Sequence, residues 1–257
     1  MPTTKKATKK AGVAKASKQA ADALALSEVR PRAPSRGNGV LKYAALVDAT
    51  EVLLREKSTH AIGLYQIAEQ AGVPPASVYH FFPTKEAAFL ALAQKYLEGF
   101  WQLSHLPVEP SALKSWQTLM AWDFRKAMQY YNANPPALKL FLGGFGGEEI
   151  KQAGREYNER SARALAKRLG LAFHMPFVRD AEKRFHIVLQ IYDAILQISY
   201  LRKGRISEDY LEEAVAACTA YCRQFLPENL EPQDAVRAAV AKGKKLVLQD
   251  PEKAKEA

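Results

Sequence analysis

The sequence holds only two cysteines, Cys218 and Cys222. Four residues apart, they would lie one turn apart on a helix, which excludes a disulfide framework and suits a reducing compartment. No other Cys or His stands close to them, so both are expected as small core residues. No apolar run approaches the ~20 residues that a membrane-spanning helix needs. The basic N-terminus has no apolar segment after Lys18 of the kind a secretory signal requires. A cytoplasmic protein without membrane contact is expected. Catalytic signals are missing too: there is no Gly-x-Ser-x-Gly elbow and no dinucleotide fingerprint. Gly143-Gly-Phe-Gly-Gly147 lacks both the preceding strand and the following Lys-Ser/Thr of a phosphate loop, and reads as a helix connection. His174 and His186 are too far apart for one helical face and have no acidic residue to complete a ligand set. No catalytic residue, metal or cofactor is therefore expected.

What the sequence does hold is positive charge, unevenly placed. Lys and Arg total 37 against 27 Asp and Glu, a formal charge of +10. Residues 1–36 carry nine of the basic side chains and two acidic ones, Asp22 and Glu28, so the excess is mostly an arm. Such a balance favours polyanionic partners. The arm is rich in Lys, Ala and Ser and should be disordered alone. It serves either to track phosphates and enter a minor groove or as a solubilising leader.

From Val40 onward the apolar spacing is helical, and no alternating strand pattern of useful length occurs, so the class is all-α. Leu41, Ala44, Ala45, Ala49, Val52 and Leu53 suggest the buried face of a first helix ending near Lys57. Short helices follow at 64–70 and 75–81. Longer ones are expected at 84–104, 110–132, 135–143, 147–170, 177–203 and 207–226, separated by Pro and Gly breaks. The resulting division is a basic arm (1–36), a three-helix reading head (38–98), a larger helical domain (99–227) and a charged appendix (228–257) with one possible helix from Gln233 to Gln249.

The stretch from Gly63 to Phe82 carries the chemistry. Ile67 and Ala68 give one helix a close apolar contact, Gly72 permits the positive φ of a tight turn, Val73 plugs the gap and Val78 anchors the second helix. Pro75, Ala76, Ser77, Tyr79 and His80 are left outward at the helix start, the part of a recognition helix that meets base edges and phosphates. Thr84 is placed to cap the next helix, with Ala87 at the third position and Glu86 at its positive end.

The run Ile67-Ala68-x-x-Ala71-Gly72-Val73, then Ser77-Val78-Tyr79-x-x-Phe82-x-x-Lys85-Glu86-Ala87, resembles the DNA-binding domain of TetR/AcrR-family transcriptional regulators over roughly residues 38–100. The resemblance implies that Tyr79, Thr84 and Lys85 meet phosphate, and that Pro75, Ala76, Ser77 and His80 face the major groove. Three positions depart from the family pattern: Gly63 replaces a capping Thr or Ser, Pro74-Pro75 a polar pair, and Phe81 a Tyr or His. The reading tip is thus poor in long polar side chains, and thymine methyls are a suitable target for Ala76 or Pro75.

A regulator needs an input. Aromatics concentrate over residues 96–145, and Phe100, Trp101, Trp116, Trp122, Phe124, Tyr131 and Phe141, with Tyr192, are candidates for a pocket that takes a small apolar or amphipathic effector. Gln117, Asp123, Gln129 and Asn132 are the polar groups available to orient it. Phe185, Val188, Leu189, Tyr192 and Leu196 on one helix, with Val215 and Cys222 on the next, suggest a homodimer interface of four-helix type. They equally suit burial within one subunit. The leading expectation is a homodimeric repressor on a palindromic operator in double-stranded DNA, released by a small effector. The alternatives are an architectural DNA-binding protein without effector, or a helical enzyme.

Overall fold

The computed structural model describes residues 30–34, 37–144 and 147–248; most of the basic arm lies outside them. The described residues contain no strands beyond two isolated bridges. The chain divides into two compact units after Leu92. That is earlier than the expected boundary at residue 98, because Tyr96 belongs to the second unit, where it packs edge-on against Tyr130.

The first unit is built from α1 (Asn38–Glu56), α2 (Leu64–Ala71) and α3 (Pro75–Phe81), with a 3-10 turn at Thr59–Ala61. The next helix, α4 (Lys85–Leu103), begins in this unit and ends in the second. Leu46, Leu54, Ile62, Ile67, Ala68, Val78 and Phe82 form the first unit's core, each almost fully buried. The buried face of α1 meets the expected one only at Ala49 and Leu53. Leu41 is 70% exposed and Val52 40%, whereas Leu46, Val47, Thr50 and Leu54 also point inward. Two apolar registers compete along this helix, and the one carrying Leu46 and Leu54 buries more area than the one made largely of alanines. The Thr50 hydroxyl is tolerated in the core because it donates to the Leu46 carbonyl at 2.8 Å.

Gly72 ends α2 at φ +64°, where its N–H reaches the Glu69 carbonyl and that of Val73 the Ala68 carbonyl. A left-handed residue of this kind favours glycine. The local sequence therefore fixes the turn that aims α3.

The second unit contains α5 (Trp116–Ala133), α6 (Glu148–Ala172), α7 (Ala181–Lys203), α8 (Glu208–Cys222) and α9 (Asp234–Ala241). The expected helix over 110–132 breaks at Ser115, which caps α5 by accepting the Thr118 N–H, and Pro110–Lys114 winds as a 3-10 turn. The segment after Asn134 runs through Pro135–Ala137 into a π-helical turn at Leu138–Leu142. α7 starts at Ala181 and not at 177, because Asp180 adopts a left-handed conformation.

The charged appendix is part of this unit as far as Leu248. The Trp116 indole donates to the Pro227 carbonyl at 2.9 Å, Gln233 reaches the carbonyls of Gly170 and Phe173, and Val108 exchanges both backbone hydrogen bonds with Leu246. Val236 and Leu248 are buried. The helix expected over 233–249 stops at Ala241, before the left-handed Gly243.

Candidate nucleic-acid interface and ligand cavity

α3 starts at Pro75, whose missing N–H is one that a helix start leaves unpaired anyway. Of the residues expected to face DNA, Pro75, Ala76, Tyr79 and His80 are exposed and Ser77 is half-buried, its N–H bonded to the Pro74 carbonyl. Thr84 caps α4 as expected, its hydroxyl accepting the Ala87 N–H at 3.2 Å. Lys85 is steadied by the Thr59 carbonyl, 3.3 Å from its ammonium. Gly63 offers α2 no side chain as a cap, but Gln66 supplies the reciprocal contact by accepting the Gly63 N–H at 2.9 Å. A Cβ at position 63 would lie 2.8 Å from that Gln66 oxygen, so glycine and glutamine go together here.

Two features of this surface went unread in the sequence. Tyr65, at the start of α2, is 64% exposed and presents a second phenol to solvent. The Arg32 N–H donates to the Phe81 carbonyl at 2.8 Å, which fastens the end of the basic arm to the end of α3 and leaves Arg30 and Arg32 exposed. Neither follows from local periodicity; both depend on the three-dimensional packing of the unit.

The residues proposed for a dimer interface are core residues. Phe185, Val188, Tyr192, Leu196 and Cys222 are buried within the second unit, where α7 packs on α8. Leu189 and Val215 are half-buried, and Leu189 lines the cavity described below. The Cys218 thiol donates to the Val188 carbonyl, and burial pushes both thiols up to about 12, consistent with inert core residues. The apolar side chains this helix pair leaves exposed include Ile198, Leu201, Ala216 and Ala220.

A cavity of about 1110 Å³ opens in the second unit between α4, α5, α6 and α7. Phe100, Trp101, Phe124, Tyr131, Phe141 and Tyr192 line it, as expected. Trp116 and Trp122 do not. Trp116 is a fully buried core residue tied to Pro227, and the Trp122 ring lies near the Lys126 and Arg168 cations. Of the polar candidates only Asp123 lines the cavity. Gln117 binds Glu228, Gln129 accepts from Lys126, and Asn132 pairs with the backbone of Ile206. The contribution of α6 was missed, although Lys151, Tyr157, Asn158, Arg160 and Arg168 all face the cavity. Its high polarity reads as a solvated helix in sequence, and only the fold shows that one side borders a chamber.

Burial dominates the electrostatics. The Arg168 Nε donates to both Asp123 oxygens, at 3.1 and 3.0 Å, and its Nη1 to the Ser104 carbonyl at 2.7 Å. Asp123 is nonetheless pushed up to about 6, because desolvation outweighs the guanidinium. Asp193 accepts from Asn158 at 2.7 Å and is likewise pushed up to about 6 by burial. Tyr192 stacks on Phe124 with ring centroids 4.2 Å apart and donates to the Phe124 carbonyl, and burial raises its phenol well above the usual range.

An acid with a raised folded pKa favours the fold below its ordinary pKa, and that contribution is lost as pH rises through the folded value. For Asp193 the window runs from 3.8 to about 6. The ionised side chain then costs roughly 3 kcal/mol at neutral pH, at ~1.4 kcal/mol per unit. Asp193→Asn should therefore melt higher than the parent at pH 7.5 and lose that advantage below pH 4. Equal melting temperatures at pH 7.5 would refute the assignment.

Residues 46–92 match the model of the bacterial regulatory proteins of the tetR family. No curated protein sequence matches the chain. The fold is similar to that of a TetR transcriptional regulator from Rhodococcus sp. RHA1, at 17% identity and TM-score 0.53, covering 72% of this chain and 97% of that one. It is similar to a TetR transcription regulator from Haloarcula marismortui ATCC 43049, at 19% identity and TM-score 0.52, over 72% and 98% of the two chains. SmeT, the repressor of the Stenotrophomonas maltophilia multidrug efflux pump SmeDEF, shares 16% identity at TM-score 0.51, over 76% and 92%.

Proposed function

The chain belongs to the tetR family of bacterial regulatory proteins through its first unit, and on that premise we propose that this DNA-binding regulator is a homodimeric repressor released from its operator by a small amphipathic effector. The observation that carries the reading is the pairing, in one chain, of an exposed α3 start with an aromatic-lined cavity large enough for a drug-sized molecule. Tyr79, Thr84 and Lys85 contact phosphate, and Pro75, Ala76, Ser77 and His80 face the major groove. Two copies of such a head suit a palindrome in double-stranded DNA. The dimer uses the exposed face of α7 and α8, with Ile198, Leu201, Ala216 and Ala220. Effector binding and DNA binding oppose each other through one conformational equilibrium. A cytoplasmic location fits this role, and no helix among the described residues is long and apolar enough to cross a membrane. No enzymatic step is needed. The basic arm, of which Arg30 and Arg32 are described, adds sequence-independent affinity.

Footprinting on the protein's own promoter separates the readings. One or a few palindromic sites support the repressor, broad coverage supports an architectural protein, and no specific protection leaves the enzyme. Tyr79 is 55% exposed, so Tyr79→Phe should fold normally while losing one hydrogen bond to phosphate. Operator affinity should fall about 10-fold, the range for a hydrogen bond to a charged group. Unchanged affinity in a shift assay would remove Tyr79 from the interface.

A further inference from the structure

The cavity lining is rich in positive charge. Seven Lys and Arg side chains line it against two carboxylates, Asp123 and Asp193; Asp123 is engaged by Arg168 and Asp193 by Asn158, while Arg155 and Arg163 are paired with Glu148 and Glu182 beside the cavity. Two of the cations converge on the end of α4, at Trp101 and at Ser104 just beyond it. The Arg160 guanidinium lies over the Trp101 ring, 3.5 Å from its centroid, and forms no ion pair among the described residues. Arg168, eight positions further along α6, bonds the Ser104 carbonyl through Nη1. Its Nη2 is buried and has no hydrogen-bond partner among the described residues. Arg168 is 6% exposed, so this is a desolvated guanidinium N–H in the lining of a chamber that Phe100, Phe124, Tyr131 and Phe141 also line.

A buried donor without an acceptor is costly, and a ligand that brings an acceptor removes that cost. A guanidinium is suited to oxyanions, which it can bind through two parallel N–H groups. Stacking on Trp101 holds Arg160 in place without using its N–H groups in an ion pair. Lys151 adds a further positive charge to the lining, which favours anions there.

We propose that the effector is an amphipathic oxyanion: an apolar body lies against the aromatic wall, and a carboxylate-like head sits between Arg160 and Arg168 at the Trp101–Ser104 turn. This rests on the reading of the cavity as the effector site. Neutral ligands leave Arg168 Nη2 unmatched, and cationic ones meet the repulsion of the lining.

The test is isothermal titration of the full chain at pH 8, below micellar concentrations, with three probes that share a chain length: dodecanoate, dodecan-1-ol and dodecyltrimethylammonium. Dodecanoate should bind about 10-fold more tightly than the alcohol, with an affinity that falls as salt is raised, and the ammonium should not bind. Arg160→Gln, a substitution at an exposed position, should weaken dodecanoate several-fold and leave the alcohol unchanged. If the alcohol or the ammonium matches dodecanoate, the charge preference is wrong and the cavity still stands as a binding site. If none of the three binds, the oxyanion inference and the effector reading fall together.

Discussion

Phe82→Ala should abolish operator binding by unfolding the reading head. Phe82 is fully buried, follows α3 in an extended conformation and returns its N–H to the Val78 carbonyl at 2.8 Å. Its ring meets Tyr43 of α1 at a centroid distance of 5.2 Å, tilted by 51°. The side chain thus ties the recognition helix to α1, and truncation leaves a void between them. Phe-to-Ala changes in cores cost about 3–5 kcal/mol. A unit of this size has only a few kcal/mol in reserve, at ~0.05–0.15 kcal/mol per residue. The first unit should therefore be largely unfolded at 37 °C, and specific affinity should fall at least about 100-fold. The three tryptophans, Trp101, Trp116 and Trp122, all belong to the second unit, so their emission during a melt reports that unit separately from far-UV circular dichroism. A variant that loses helix signal on gentle warming but keeps full operator affinity would show that DNA is read elsewhere.

The reading head was legible in the sequence because its determinants are short-range. Gly72, the small Ala68 and the buried Val78 stand within a dozen residues of each other, and the turn they specify does not depend on the rest of the chain. The same holds for Thr84, whose hydroxyl caps the helix that follows it directly. Where two registers of similar apolar spacing overlap, as in α1, periodicity alone does not choose, and the heavier Leu46 and Leu54 decide. The second unit is harder for a related reason. An aromatic reads identically whether it fills a core, as Trp116 does, or walls a chamber, as Phe100 does. An apolar helical face likewise reads the same whether it meets its own subunit or another. α7 spends Phe185, Val188 and Leu196 internally, so the apolar surface left exposed is the less conspicuous set of Ile198, Leu201 and the alanines of α8. The polar face of α6 gave no signal because its meaning lies in Asp123, Trp101 and Ser104, more than forty residues away on other helices.

Arg168→Met should be the most damaging single change in the cavity wall. The substitution removes the donor to Ser104 and leaves Asp123 buried without its cation. Breaking one half of a buried ion pair costs about 3–5 kcal/mol, far more than the intact pair contributes, because the remaining charge stays desolvated. The partner side chains are 7% and 19% exposed, so solvent screens little of this. The pH dependence identifies the cause. Arg168 is what pulls Asp123 down, so without it the carboxyl should titrate higher than about 6. Protonation then relieves the penalty below that value, and the destabilisation should be small at pH 5 and largest near pH 8. Asp123→Leu combined with Arg168→Met should recover most of the lost stability at pH 8, since no charge is left buried. The pair of melts, at pH 5 and pH 8, on the single and double variants checks both statements. A single variant equally unstable at the two pH values, or a double variant no better than the single, would mean that Arg168 holds the wall by packing and not by charge.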